Sequence, residues 1–376
     1  MTLFGDKTQD GRKWSTSSVW VRTLLNDPAA FFTRASGLLG RVLQRAQLMI
    51  WSRSPLLSSA YYGLLSRTFA REHFAVMQGR LSHRQNQITP GGSSLQLRRN
   101  VHRLEKGLIM RPRRPVFAAD YIVPTVAAYA RLVEGLPRNP EALPEVEWAR
   151  DVLQTYFDAV GPHADIDRAR ARFGSIEVPV EAGQRTPYRR DLERPTPVAY
   201  DAMLELAQRR RSVRWYLQQP VPRDLIDQAV AVAAQAPSAC NRQPFTFRVY
   251  DDPALVRQVA EVPMGTRGFA QNFPAIVVIV GQLRAYFNER DRHVIYVDAS
   301  LAAMSFMFAL ETLGLSSCSI NWPDQEPQES RMRELLNLEA DERVVMLVSL
   351  GYPDPTGEVP YSGKKSIDLL RSYNRQ

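Results

Sequence analysis

The sequence is short of the residues from which disulfide frameworks and metal centres are made. Its two cysteines, Cys240 and Cys318, stand far apart with no Cys-x-x-Cys spacing. That excludes a disulfide scaffold and a cysteine zinc knuckle, and it suits a reducing compartment. The five histidines (His73, His83, His102, His163 and His293) are scattered without ligand spacing, so no metal site is expected. Long uncharged runs are missing too. The longest apolar stretches, 38–65 and 296–315, are broken by Arg41, Arg45 and Arg53 in one case and by Asp298 and Glu311 in the other. A spanning helix needs about 20 nearly uncharged residues, so neither reads as one. The start of the chain carries Asp6 and Asp10 and lacks the apolar core of a secretory leader, so export by that route is not expected.

Acidic residues are scarce in one place only. Residues 1–100 hold 14 basic and 4 acidic residues, whereas the remaining 276 hold 34 and 35 and are nearly neutral. Such asymmetry marks either a contact with nucleic acid, anionic lipid or an acidic partner, or a solubilising surface. Hydrophobic residues make up 44% of the 376 and charged residues 23%, the proportions of a globular chain of about two domains.

The chain divides near residue 195. Residues 1–195 read as a basic, mostly helical region, and residues 196–376 as a mixed α and β domain. Helical hairpins are expected over 15–80, with start signals at Asp27-Pro28 and Ser54-Pro55. The stretch 38–51 has the spacing of a basic amphipathic helix, which either packs its apolar stripe into its own domain or lies in a bilayer interface. After the polar break Thr89-Pro90-Gly91-Gly92-Ser93-Ser94 comes a run with Arg98, Arg99, His102, Arg103 and Lys106, followed by Arg111, Arg113 and Arg114. It is either a solvated helix face or a grip for phosphates and lipid headgroups. Residues 135–200 are rich in proline around one helix at 145–160, and 174–197 reads as an extended linker. Beyond it, helices are expected at 200–210, 224–234, 253–259, 294–314 and 328–336. Strands are expected at 245–250, 275–281, 317–320 and 343–352, where β-branched and apolar residues cluster between turn signals.

Two stretches carry the chemistry. The first is Arg209-Arg210-Arg211-Ser212-Val213-Arg214-Trp215-Tyr216, in which guanidiniums and a hydroxyl can hold a dianionic phosphate. The second is Ala236-Pro237-Ser238-Ala239-Cys240-Asn241-Arg242-Gln243-Pro244-Phe245, a turn of small residues with donors and acceptors for the edge of a flat ring. Neither cysteine has a histidine placed to activate it as a nucleophile.

This pair, in this order, resembles the nitroreductase family of FMN-dependent oxidoreductases. So do Asp298-Ala299-Ser300-Leu301-Ala302-Ala303-Met304 running into Leu313-Gly314-Leu315, and Val348-Ser349-Leu350-Gly351-Tyr352-Pro353 followed by Lys364-Lys365. The likeness covers about residues 200–370. It implies an α+β fold, a mixed central sheet flanked by helices, preceded here by the mostly helical N-terminal region. It further implies that Arg210, Arg211 and Ser212, with Lys364 or Lys365, meet the FMN phosphate and ribityl chain. Arg214 would face the pyrimidine side of the ring and stabilise its reduced form. Pro237, Ser238, Ala239, Asn241 and Gln243 would line the ring and ribityl face. Thr266 and Arg267 fall where the family often adds a further contact. Ile320, Asn321 and Trp322 would lie near flavin N5 and O4, with Trp322, where relatives carry glycine, either covering the flavin or turned away.

The activity implied is hydride transfer from NADH or NADPH through the flavin to a small organic acceptor, in a cytoplasmic homodimer with FMN at the subunit interface. The alternative is a basic protein that binds a polyanion or the inner membrane surface beside a catalytically silent flavin-fold domain. For it, Arg99 to Leu108 resembles a segment of long nitroreductase-like proteins associated with surface-polysaccharide synthesis. Nucleic acid is not the expected partner.

Overall fold

The computed structural model describes residues 42, 45–85, 93–178 and 183–375. The chain separates into two compact units, Met1–Arg71 and Glu72–Gln376. In the first, residues 45–51 are helical and helix α1 is Pro55–Ala60, started by Ser54, whose Oγ accepts the Leu57 N–H at 3.2 Å. Leu48, Met49 and Ile50 are exposed, so they do not form the buried stripe that core packing would require. The start signal at Asp27-Pro28 lies outside the described residues.

The second unit begins with helix α2, Ala70–Arg84, most of which belongs to it. A bundle follows: α3 Leu95–Leu108, α4 Ile122–Gly135, α5 Leu143–Ala159 and α6 Ala164–Gly174. Leu97, Val101 and Leu104 recur at helical spacing on α3 and pack with Val146, Ala149, Leu153 and Tyr156 of α5 and with Val126 and Tyr129 of α4 in one core. Sequence reasoning left out α4 and α6. In α4, Pro124 sits in the first turn, where its missing N–H costs nothing. In α6 only Ile166, Ala169 and Phe173 meet the core, too few to stand out as a pattern. Residues 183–199 have no helix or strand, as a linker should, and Arg185 pins them to α5 through Glu147 at 2.6 Å and Asp151 at 3.4 Å.

The remaining elements are α7 Tyr200–Arg209, α8 Arg223–Ala233, β1 Phe245–Tyr250, α9 Pro253–Ala260, β2 Ala275–Gln282, α10 Val294–Thr312, β3 Ser316–Asn321, α11 Gln328–Leu336, β4 Glu342–Gly351 and α12 Ile367–Leu370. They form a four-stranded antiparallel sheet in the order β1-β2-β4-β3. Strand β2 is buried on both faces. Val277 and Ile279 join Val348 and Leu350 against α8 and α10, while Ile276, Val278 and Val280 join Leu347 against α9 and α11. That alternation is the period of two that sends successive side chains to opposite faces. Helix α10 is apolar all round, and the run Glu289–Thr312 is long and apolar enough by composition to cross a membrane despite Asp298 and Glu311. Half of it is buried, with Ala299, Ala303, Phe306 and Leu310 in the core beside the sheet. Gly314, at φ +77°, ends the helix in a left-handed turn that leads straight into β3.

The bundle does not form a separate unit ending near residue 195. Helix α3 packs on the turn before β1, and α2 lies so close to the segment after β2 that a Cβ on Gly79 would meet Leu283 at 2.7 Å. The physical reason is polar as well as steric, because the contact runs through Arg98.

Candidate functional site

The segment after α7 lies along the free edge of β3. Ser212 forms a parallel bridge with Ser317, and the Val213 N–H donates to the Ser317 carbonyl at 3.1 Å. This places Arg210, Arg211, Ser212 and Arg214 beside the start of the strand. Arg210 has a buried Nε with no hydrogen-bond partner, and the Ser317 hydroxyl, fully buried beside Ser212, has none either. Nearby Glu311 has its carboxyl pushed up by burial, against the pull of Ser316 at 3.0 Å and of Arg209 and Arg210. Burial likewise raises the Cys318 thiol, opposed by Arg214, Ser212 and Arg210. Arg211 donates to the carbonyls of Pro360 and Tyr361, which brings the C-terminal segment, with exposed Lys364 and Lys365 just beyond, to the arginine cluster. Arg214 is held from three sides: its Nη1 donates to the Ser212 carbonyl at 3.3 Å, its guanidinium lies 5.5 Å from the Phe269 ring centre, and Asn272 holds its backbone carbonyl at 2.9 Å.

Further along β3, Ile320 is buried and Asn321 is exposed. From Ser317 to Asn321 is four residues, about 13 Å at the usual rise of a strand. The arginine cluster and the exposed Asn321 therefore lie at two ends of one strand edge. Trp322 does not cover that edge. Its indole is 8% exposed, packed with Met332 and Leu336, and its Nε1 donates to Glu329 Oε1 at 2.5 Å. The side chain is part of the core, so of the two alternatives the indole is turned away, and only its backbone is left for a ligand. Thr266 is also structural, its hydroxyl lying 2.6 Å from the Ala260 carbonyl and 2.8 Å from that of Pro263. Arg267 is exposed, and no hydrogen bond ties it to the arginine cluster among the described residues.

The second stretch forms a strained turn. Cys240, Asn241 and Gln243 all have left-handed backbones, at φ 53°, 50° and 49°. Non-glycine residues rarely adopt this conformation, which costs of order 1–3 kcal/mol each and persists only where surroundings enforce it. Here the enforcing groups are visible. Ser238 Oγ accepts the Gln243 N–H at 3.0 Å, and Asp298 Oδ2 accepts both the Ala239 N–H and the Tyr286 hydroxyl at 3.0 Å. Burial raises the Asp298 carboxyl, against those hydrogen bonds and Arg242. From α3, Arg98 donates to the Asn241 carbonyl at 3.0 Å, to Gln243 Oε1 at 2.9 Å and to Glu145 Oε2 at 3.2 Å. Gln243 uses its other end on the Ala234 carbonyl at 2.8 Å, so its side chain shapes the turn and is not free to meet a ring. Pro237, Ser238 and the Asn241 carboxamide remain available. Sequence reasoning missed Arg98, Tyr286 and Asp298 as the holders of this turn. An acid within the first half of the apolar run of α10 was the signal for Asp298. For Arg98 there was none, since it is one of several arginines in a row.

The two stretches are not adjacent within the chain. Ser212 shares a row with Ser317, Leu350 and Ala275, at one end and one edge of the sheet. The turn precedes Phe245, which pairs with Gly281 on the opposite edge, and Gly281 in turn faces Arg343. With four lateral spacings of about 4.8 Å and six residues of about 3.3 Å between them, the corners are separated by roughly 28 Å. Beside the turn, a cavity of about 560 Å³ opens between the bundle and β1, lined by Arg98, Glu145, Gln243, Phe247 and Gln282. Among the described residues no group of three or more His, Cys, Asp or Glu side chains converges to hold a metal ion.

An antiparallel sheet flanked by helices, with a guanidinium cluster along one edge strand and a rigid small-residue turn at the opposite corner, makes this part of the chain an α+β domain. The model of the nitroreductase family matches residues 207–266 and 262–352, and this part of the chain is a nitroreductase-family domain preceded by an additional N-terminal region. The chain is 22% identical over 284 residues to iodotyrosine deiodinase 1 of Rattus norvegicus, covering 68% of this chain and 97% of that protein. It is 29% identical over 182 residues to an NADH dehydrogenase of Thermus thermophilus, covering 40% of this chain and 86% of that protein. A solved FMN-dependent nitroreductase from Clostridium difficile is 25% identical and overlaps 46% of this chain and 100% of its own, with a TM-score of 0.40.

Proposed function

We propose that this protein is an FMN-dependent oxidoreductase that works as a two-fold homodimer and takes electrons from NADH or NADPH to a small organic acceptor. The observation that carries the reading is the unpartnered, buried Nε of Arg210 beside Ser212 on the β3 edge, with the fixed guanidinium of Arg214 and the exposed Asn321 further along the same edge. A half-buried guanidinium with one buried N–H left unsatisfied is costly, and an anion with oxygens to accept it would relieve that cost. FMN, when bound, supplies the two-electron relay between donor and acceptor. The chain's own residues have separate tasks. Arg210, Arg211 and Ser212, with the Lys364-Lys365 segment, bind the phosphate. Arg214, its guanidinium held by the Ser212 carbonyl and the Phe269 ring, presents a positive charge to the ring where reduction leaves negative charge. The turn Pro237–Asn241 contributes from the opposite corner of a second copy, since one chain holds the two half-sites too far apart for one ligand to touch both.

The test is the absorbance spectrum of the purified full chain, before and after added FMN, and then under anaerobic NADH or NADPH. A yellow protein bleached by either donor supports the proposal, and a protein that stays colourless with excess FMN ends it. The shared site has its own test. Mixing chains of Arg211→Ala with chains of Ser238→Tyr should restore FMN to about one quarter of all sites, because half the dimers are mixed and each mixed dimer has one intact site. No recovery would place both half-sites in one chain.

A further inference from the structure

Helix α3 brings a second cationic cluster to the other side of the turn. Arg99 and Arg103, one helical turn apart, share a face that looks away from Arg98. The Arg99 guanidinium lies 5.3 Å from the centre of the Phe287 ring, and Arg103 stacks on Tyr121 at 3.7 Å. Arg242, within the turn, lies over Tyr286 at 4.8 Å, and the His83 ring is 6.1 Å from Phe287. Among the described residues none of Arg99, Arg103 and Arg242 has a carboxylate within 4 Å. Asp298, which lies near Arg242, is spent on the Ala239 N–H and Tyr286. Arg242 is 5% exposed and its Nε has no partner. The crowding of like charge shows in the titration of the cluster: Arg99 is pulled down by burial and then by Arg103 and Arg242, and His83 by burial and by Arg242 and Arg99.

Guanidiniums held on aromatic rings without a carboxylate, Arg99 and Arg103 half-buried and Arg242 buried, are costly unless something anionic joins them. The aromatic shelf belongs to the turn itself, because Tyr286 and Ala239 share one small core and one carboxylate. We propose that Arg99, Arg103 and Arg242 form the recognition site for the oxyanion of the acceptor, a small organic acid bearing a carboxylate or phosphate, with Phe287 as the surface for its flat part. This rests on the oxidoreductase reading for the word acceptor and on nothing else in it. Exposed Phe287, flanked also by Arg290 at 5.7 Å, suits a ring better than an aliphatic chain. The bundle ahead of the nitroreductase domain thus has a task in the site, that of choosing substrates by charge.

The experiment is calorimetric titration of the full chain, both free of FMN and loaded with it, using benzoate, phenyl phosphate and the neutral benzyl alcohol. At least one of the two anions should bind roughly tenfold or more tightly than the alcohol, the size expected for charge-assisted hydrogen bonds. Whichever of benzoate and phenyl phosphate binds better tells carboxylate from phosphate. Arg99→Gln and Arg103→Gln should each weaken that binding about five- to tenfold, and Arg99→Lys should restore most of it, with melting no lower than in the parent and unchanged FMN content. Equal binding of benzyl alcohol, or unchanged anion binding in both glutamine variants, would overturn the proposal. So would retention on phosphatidylserine vesicles with no binding of either small anion. A colourless protein that still binds the anion would sink the oxidoreductase reading alone, and a yellow protein indifferent to charge would sink this one alone.

Discussion

Arg98 and Gln243 meet at 2.9 Å across 145 residues of sequence, and through that contact the helical bundle takes hold of the turn before β1. The same guanidinium neutralises Glu145, whose side chain is 6% exposed. Arg98→Ala should therefore cost about 3 kcal/mol, since it leaves a buried carboxylate without its cation and frees a strained turn. Chemical denaturation of the full chain measures the loss. Arg98→Lys should recover only part of it, because an ammonium cannot serve three acceptors in one plane. An alanine variant as stable as the parent would mean that the turn holds its shape alone.

Arg211 sits where the C-terminal segment meets the arginine cluster. Arg211→Ala should weaken FMN binding by about 10- to 100-fold, and riboflavin binding, which involves no phosphate, by less than about twofold. Fluorescence titration of the two flavins gives both numbers. Equal losses for both would show that the residue shapes the ring site rather than the phosphate site.

Trp322 offers a contrast, because its indole is tied to Glu329, which also pairs with Arg343 at 3.4 Å. Trp322→Phe should cost about 1.5–3 kcal/mol by removing a hydrogen bond to a charged acceptor, while flavin content and the flavin absorption band stay as they were. A shifted band would return the indole to the flavin face.

His83 donates to the Arg284 carbonyl at 2.9 Å, and burial lowers its pKa below the ordinary 6.5. As pH falls, the unfolded chain takes up this proton first, so the stability due to the neutral ring is complete above 6.5 and is lost below it. Unfolding midpoints between about pH 7.5 and 5.5 should fall less steeply in His83→Gln than in the parent. Parallel curves would remove His83 from the acid response.

Much of the nitroreductase-family domain was legible because its signals are local. β2 is one short apolar run, α9 starts on Asp252-Pro253 with Asp252 as cap, and α10 ends on Gly314, so their bounds fall within a residue or two of expectation. In the bundle α5 was legible as a helix, whereas α3 was noticed for its charges and not for the apolar stripe of Leu97, Val101 and Leu104 that it buries. What failed was long-range. Nothing in a row of arginines distinguishes Arg98, which turns inward to Gln243, from Arg99, which turns to Phe287. Trp322 and Gln243 were placed at the site by position along the chain, but side-chain direction is decided by packing partners, Met332 in one case and Ala234 in the other. The division near residue 195 followed a change of composition, whereas compactness follows contacts, and those tie α3 to the turn.

The placement of Ser212 and Phe245 at diagonal corners of the sheet has a bearing on how loading with cofactor depends on abundance. If neither corner retains the ligand by itself, each lone subunit is an empty vessel, and occupancy is set by how many subunits have met. Diluting the protein at constant free flavin would then bleach the solution beyond simple proportion, making colour a gauge of assembly.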